Sequence, residues 1–509
     1  MKRAFTLLCL YMSFTALMAV PAYKGSQKFI QPDGTSITIC LHGDEYLHYY
    51  TTEDGYSLVK NSEGFYVYAS VNSEGKLEST GVVAHNEHGR KNAERSFLAN
   101  VQKHIKPAAS KMYYANKQIQ KHISTKKLKN GIISPFAKDK GEFSPRKASG
   151  TTSTVEFGKV PVILVEFSDK SFSQDNYKSI AEGMFNANNY TGYTNSSGNR
   201  EVYTGSVRDY FSDNTCGLFT PQFDVYGPYK VNYSQYAPMG SDNAHDILLA
   251  AINKADSDID FSQYDGNGDG KVDAIYFVVA GNGSNYSGND ERLFWPHRYW
   301  MVNWNDDGSY SYIKKDGVYL GQYASSVELC GYTSHPRTVF IDGIGTVCHE
   351  FSHVLGLPDL YDTDYEESGG QSIDPGKWSL MAGGSYFNNG RTPIGYSLFE
   401  RFMLGLANPA IISDEGSYEL ENVMTSNSGY VMPTPNVDDG YIIKEYFMIE
   451  NRQKDSKWNS YAPGHGMLVY RVDFTNYEPW DNGTVNADPA HNYYELLRAC
   501  GYQGEASGT

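Results

Sequence analysis

Cysteine is scarce in this chain, with six in 509 residues. Cys9 falls in an apolar N-terminal run. The other five, Cys40, Cys216, Cys330, Cys348 and Cys500, are odd in number and scattered, which excludes a disulfide framework as the organising element. Positive charge is also in deficit: 43 Lys and Arg face 59 Asp and Glu, for a formal net charge of −16 and a pI near 5.3. That balance argues against nucleic acid and anionic membrane surfaces as partners. Long apolar runs are missing after the N-terminus, and none approaches the roughly 20 residues that a membrane-spanning helix needs. The one early run, Phe5 to Val20, follows Lys2 and Arg3 and leads into Val20-Pro21-Ala22. This predicts a signal peptide over residues 1–22. The mature protein is expected to be soluble, monomeric and exported, whether extracellular, cell-surface or periplasmic.

The length allows two or three domains. Residues 23–100 carry short β-like runs at Ser36–Leu41, His48–Thr52, Tyr56–Lys60 and Phe65–Ala69, punctuated by Asp33-Gly34, Asp54-Gly55 and Glu63-Gly64. They predict a small, mostly antiparallel domain. Residues 101–152 are Lys-rich and poor in apolar side chains, as an exposed linker is. A small domain and a cleavable linker ahead of a catalytic region predict a propeptide; the plain alternative is a solvated spacer between permanent domains. The main domain is expected over 153–408, with a buried strand at Val160–Phe167 and a helix at Ala244–Ala255. Residues 409–509 read as β-rich and Tyr-rich, and the chain stops without a closing element, as if cut from a longer protein. The expected class is α+β: a twisted sheet with an active-site helix, between β-rich N- and C-terminal regions.

The densest chemistry lies at His349-Glu350-Phe351-Ser352-His353-Val354-Leu355-Gly356-Leu357-Pro358-Asp359. In a helix, His349 and His353 stand one turn apart on one face, a bite that suits zinc. Ile344, Val347, Cys348, Phe351, Val354 and Leu355 form the opposite, apolar face. The bland alternative is a buried helix with two structural histidines. Glu350 falls at the edge of the histidine face, placed to act on water rather than to ligate. Gly356 can end the helix in the left-handed conformation and Pro358 prevents its resumption, so Asp359 can return as third ligand. Asp362, Glu366 and Glu367 compete for that role. Three protein ligands leave a fourth position open, the catalytic arrangement.

Two further stretches bear on metals. Asp265-Gly266-Asn267-Gly268-Asp269-Gly270-Lys271-Val272-Asp273 offers oxygens at positions one, three, five and nine with Gly at six, as a calcium loop begins. Tyr276 stands where an EF-hand has Glu, so the expectation is a hairpin-type calcium site using Asp265, Asn267, Asp269, Lys271 and Asp273; the alternative is a plain turn. Trp378-Ser379-Leu380-Met381-Ala382-Gly383-Gly384 places Met381 in a tight turn soon after the histidine motif, which resembles the Met-turn of metzincins. Ile394–Leu406 reads as a helix covering it.

Together these stretches resemble the secreted metallopeptidases of the immune inhibitor A family, from about residue 158 to at least 473. The resemblance includes Val162–Asp169, Ser206–Phe211, Pro393–Gly405, Glu450–Gln453 and Pro463–Val469, and His42-Gly43-Asp44-Glu45 is similar to a pro-segment of exported members. It implies an extracellular zinc endopeptidase made as a zymogen and acting on protein or peptide substrates. It also implies His349, His353 and Asp359 as ligands and Glu350 as base. Latency then needs steric cover or a pro-segment group such as Cys40, Asp44 or Glu45 at the metal, and Tyr386 is a candidate oxyanion donor. The alternatives are a non-catalytic secreted binding protein on a peptidase scaffold, disfavoured because every catalytic residue is present, and a zinc amidase on non-peptide substrates.

Overall fold

The computed structural model describes residues 21–107 and 158–498, apart from 23–25, 44–47, 74, 242, 287, 305–309, 335–338, 364–371, 408, 413, 435–436 and 439–441, together with two short strands at 138–139 and 142–143. Residues 1–20 of the expected signal peptide, most of the basic linker, Asp44, Glu45, Glu366, Glu367 and Cys500 lie outside the described residues.

The N-terminal region is an antiparallel meander of six strands, Gln27–Ile30, Ser36–Gly43, His48–Thr52, Ser57–Lys60, Tyr66–Val71 and Leu77–Val83, each paired with the next. Period-two alternation sends Ile37, Ile39 and Leu41 into a small core with Tyr50, Leu58, Tyr66 and Tyr68. The same core takes in Trp295 from the larger unit, fully buried and stacked on His48 with ring centres 4.8 Å apart. Tyr50 Oη also donates to the Asn289 carbonyl at 3.0 Å. The meander is therefore seated on the rest of the chain.

The larger unit is built on a mixed sheet ordered Gln222–Lys230, Lys159–Glu166, Ile275–Asn282, Gln322–Cys330, Arg298–Trp300. The first four strands run parallel and the last is antiparallel. Both faces are covered, which is why Lys159–Glu166 reads as an unbroken apolar run. Val160, Val162 and Leu164 point into one core with the motif helix, and Ile163 and Val165 into a second with helix Ala244–Ala255. The architecture is mixed α/β. Its parallel order is a feature the local sequence pattern did not specify.

The C-terminal strands Ala410–Ile411, Tyr430–Pro433, Glu445–Arg452, Gly466–Asp473 and Tyr494–Leu496 form a five-stranded sheet. Tyr446, Met448, Tyr470, Val472 and Tyr494 bury into the same core as the motif helix. The helix expected over 394–406 is shorter, Leu398–Met403. Ser397 accepts from Glu400 N while Glu400 accepts from Ser397 N, a capping box that starts the helix four residues late. Among the described residues no helix is long and apolar enough to cross a membrane.

Candidate metal centre

The histidine motif occupies helix Gly345–Leu355. Its first turn is pinned by Gly345, whose N–H donates to the Gly390 carbonyl at 2.8 Å. A side chain at 345 would meet the Ser385 carbonyl oxygen at 1.9 Å, so only glycine fits there. Ile344, Val347, Cys348, Phe351 and Val354 pack into the core, as the periodicity predicts, with Leu355 partly buried beside them. Gly356 ends the helix at φ +112, and Leu357 N and Gly356 N both donate to the Ser352 carbonyl. This is the bonding of a glycine-terminated helix. The turn exposes the Leu357 carbonyl to His353 and brings Asp359 back over the helix.

His349 Nδ1 meets the Leu380 carbonyl at 2.8 Å, and His353 Nδ1 meets the Leu357 carbonyl at 2.8 Å. A carbonyl oxygen can only accept, so each Nδ1 carries the proton and each Nε2 presents a lone pair. These two Nε2 atoms lie 3.0 Å apart, and Asp359 Oδ1 lies 3.2 and 3.4 Å from them. His349, Glu350 and His353 are fully buried and Asp359 is 3% exposed. Burial holds the His353 pKa below its ordinary value despite the neighbouring carboxylate, so the imidazole stays neutral.

Lone pairs converging from three sides in a dry pocket repel unless a cation sits among them. The residues fit zinc. Tetrahedral bonds of about 2.0–2.1 Å give donor–donor edges of about 3.3–3.4 Å, close to the three separations observed. Among the described residues this is the only group of three or more His, Cys, Asp or Glu side chains whose ligating atoms converge within 4.8 Å. Asp362 is not part of it, since its Oδ2 accepts from Ser372 N at 2.8 Å. Nor is Cys40, whose thiol burial pushes up to about 11. Cys40, Cys216, Cys330 and Cys348 are all free thiols.

Met381 lies fully buried in the same core as the motif helix. Tyr386 Oη donates to the Pro21 carbonyl at 2.6 Å. In the Asp265–Asp273 loop, Asp265 accepts from Asp269 N and Gly270 N, Asn267 accepts from Asp269 N, and Asp269 accepts from Lys271 N. Asp273, the last of the expected ligands, also has backbone donors. Its Oδ2 takes the N–H groups of Gly158 and Gly266, pinning the chain just before strand Lys159–Glu166. Asp265, Asp269 and Asp273 therefore do not converge as one group.

The sequence reading missed the carbonyls of Leu357 and Leu380 that orient the two imidazoles, and it missed Glu400. Main-chain partners leave no mark on residue identity. Glu400 did leave one, the Ser397-x-x-Glu400 capping pattern.

Residues 147–401 match the model of the immune inhibitor A peptidase M6 catalytic domain. The chain belongs to the immune inhibitor A family of metallopeptidases. It is 29% identical over 291 residues to "Immune inhibitor A" of Bacillus thuringiensis subsp. alesti, covering 50% of this chain and 40% of that protein. It is 26% identical over 310 residues to "Pre-pro-metalloprotease PrtV" of Vibrio cholerae, covering 54% of this chain and 32% of that protein. The match thus spans well under half the length of either relative of this immune inhibitor A family member.

Proposed function

We propose that the chain is a secreted zinc endopeptidase, exported on residues 1–22, kept latent by residues 23–100 and released by cleavage in the 101–152 linker. The observation that carries the reading is the convergence of His349 Nε2, His353 Nε2 and Asp359 Oδ1 within 3.4 Å. Zinc bound there supplies Lewis acidity, which acidifies water and polarises a peptide carbonyl. His349 and His353 are held by the Leu380 and Leu357 carbonyls in the tautomer that keeps Nε2 available. Glu350 takes a proton from the attacking water and returns it to the leaving amine nitrogen as the peptide bond breaks. The seating of the N-terminal region on the larger unit, through Trp295 in its core and the Tyr386 bond to the Pro21 carbonyl, supports latency by cover. Calcium, if bound, is held by Asp265, Asn267, Asp269 and the Lys271 carbonyl, with Asp273 as a backbone clamp.

The test is casein hydrolysis by the exported chain after limited tryptic cleavage of the linker, beside Glu350→Ala treated identically. The reading expects activity only in the first. Equal activity in both removes Glu350 as base, and no activity in either with zinc bound favours an amidase of narrow specificity.

A further inference from the structure

The proposed zinc site leaves unexplained why a fully buried carboxylate, Glu400, sits behind it. Glu400 Oε1 accepts from Ser379 Oγ at 2.6 Å and from Met381 N at 3.1 Å, and Oε2 accepts from Ser397 N at 2.6 Å. The carboxylate thus ties the Met381 turn to the capped start of helix Leu398–Met403. The Met381 N–H belongs to the same planar peptide as the Leu380 carbonyl. In a trans peptide these two groups point in opposite directions. Holding the N–H on Glu400 therefore aims the carbonyl away from it, towards His349 Nδ1 at 2.8 Å. The next carbonyl, of Met381, accepts from Leu360 N at 2.9 Å, beside Asp359. One short stretch of backbone thus touches the support of two of the three converging groups, and its orientation is fixed by the Glu400 carboxylate together with Ser379 Oγ, which also accepts from Met381 N at 3.0 Å.

We infer that Glu400 is a positioning residue of the metal centre, setting the His349 ring through the Leu380–Met381 peptide. This rests on the zinc reading above. The carboxylate never touches metal or substrate; it fixes the tautomer and direction of a ligand through one intervening peptide. Groups that orient a ligand from behind contribute about 10–100-fold to metal affinity.

Two serines on opposite sides of Glu400 separate positioning from plain stability. Ser379 Oγ donates to the Glu400 carboxylate and accepts from Met381 N on the turn side, whereas Ser397 Oγ accepts from the Glu400 backbone N on the helix side. Ser379→Ala, Ser397→Ala and Glu400→Gln are made in the full chain. Each is assayed by competition of a chelator for Zn2+, by the visible spectrum of the Co2+-loaded protein, and by thermal unfolding. The expectation is that Ser379→Ala and Glu400→Gln weaken zinc binding about 10–100-fold and shift the cobalt bands. Ser397→Ala lowers the unfolding temperature while zinc affinity and spectrum stay as in the wild type. The inference is overturned if Ser379→Ala leaves both metal readouts unchanged, or if Ser397→Ala weakens zinc as much. Should Glu400→Gln not fold, Glu400→Asp decides in the same three assays, wild-type zinc affinity and cobalt bands overturning the inference. A wild-type chain that takes up no zinc refutes the metal reading itself, a result distinct from zinc binding that ignores these substitutions.

Discussion

Arg452→Met is the sharpest test of how the C-terminal sheet supports the site. Arg452 and Glu450 are both fully buried, with Nη2 and Oε1 2.9 Å apart. Arg452 Nη1 also donates to the Gly395 carbonyl at 2.9 Å, while Glu450 accepts from Leu398 N at 2.6 Å and from Tyr470 Oη at 3.1 Å. Burial opposes the guanidinium charge, but Glu450 outweighs that and raises the Arg452 pKa. Removing Arg452 strips the Glu450 carboxylate of its paired guanidinium in a dry core, leaving Arg401 as the other buried cation that acts on it, which costs about 3–5 kcal/mol. The assay is the urea unfolding midpoint and slope of the full chain. Glu450→Gln in the Arg452→Met background removes the stranded charge and is expected to recover a large part of the loss. A loss below about 1 kcal/mol for Arg452→Met, or no recovery in the double variant, refutes the reasoning: the pair would then contribute shape and not charge.

Gly356→Ala forces a left-handed conformation on an L-residue at φ +112. It is expected to cost roughly 1–2 kcal/mol and to weaken zinc binding in chelator competition, because the same turn delivers the Leu357 carbonyl and Asp359. Asp359→Asn is expected to weaken zinc binding in that assay, whereas Asp362→Asn leaves it unchanged, since Asp362 holds Ser372 N instead. Burial raises Asp342 from 3.8 to about 6. Its folded pKa exceeds the unfolded one, so the stability it contributes is full below about pH 4 and lost as pH rises through about 6, a change of about 3 kcal/mol. Asp342→Asn should flatten the stability–pH curve between about pH 4 and 7; an unaltered curve contradicts this.

What the sequence made legible was local. The four motif residues, the Gly356 turn and the apolar helix face all follow from spacing along one helix and one break. Strand Lys159–Glu166 and helix Ala244–Ala255 were readable for the same reason. The remainder depends on which distant segments meet. Trp295 completes the N-terminal core across more than two hundred residues of sequence, and nothing in its neighbours signals that. The C-terminal strands share the core of the motif helix because Tyr446, Met448 and Tyr470 face it, not because of any local pattern. At the metal site the ligand types were visible, but the backbone carbonyls that orient them were not.

In the proposed metal centre, His349, His353 and Asp359 hold one zinc ion while Glu350 does not. Zinc content per chain, measured on the wild type, on Glu350→Ala and on the His349→Ala/His353→Ala double variant after identical purification, tests it most directly. The prediction is one zinc in the wild type, one in Glu350→Ala and none in the double variant. Zinc retained by the double variant, or absent from the wild type, would contradict it.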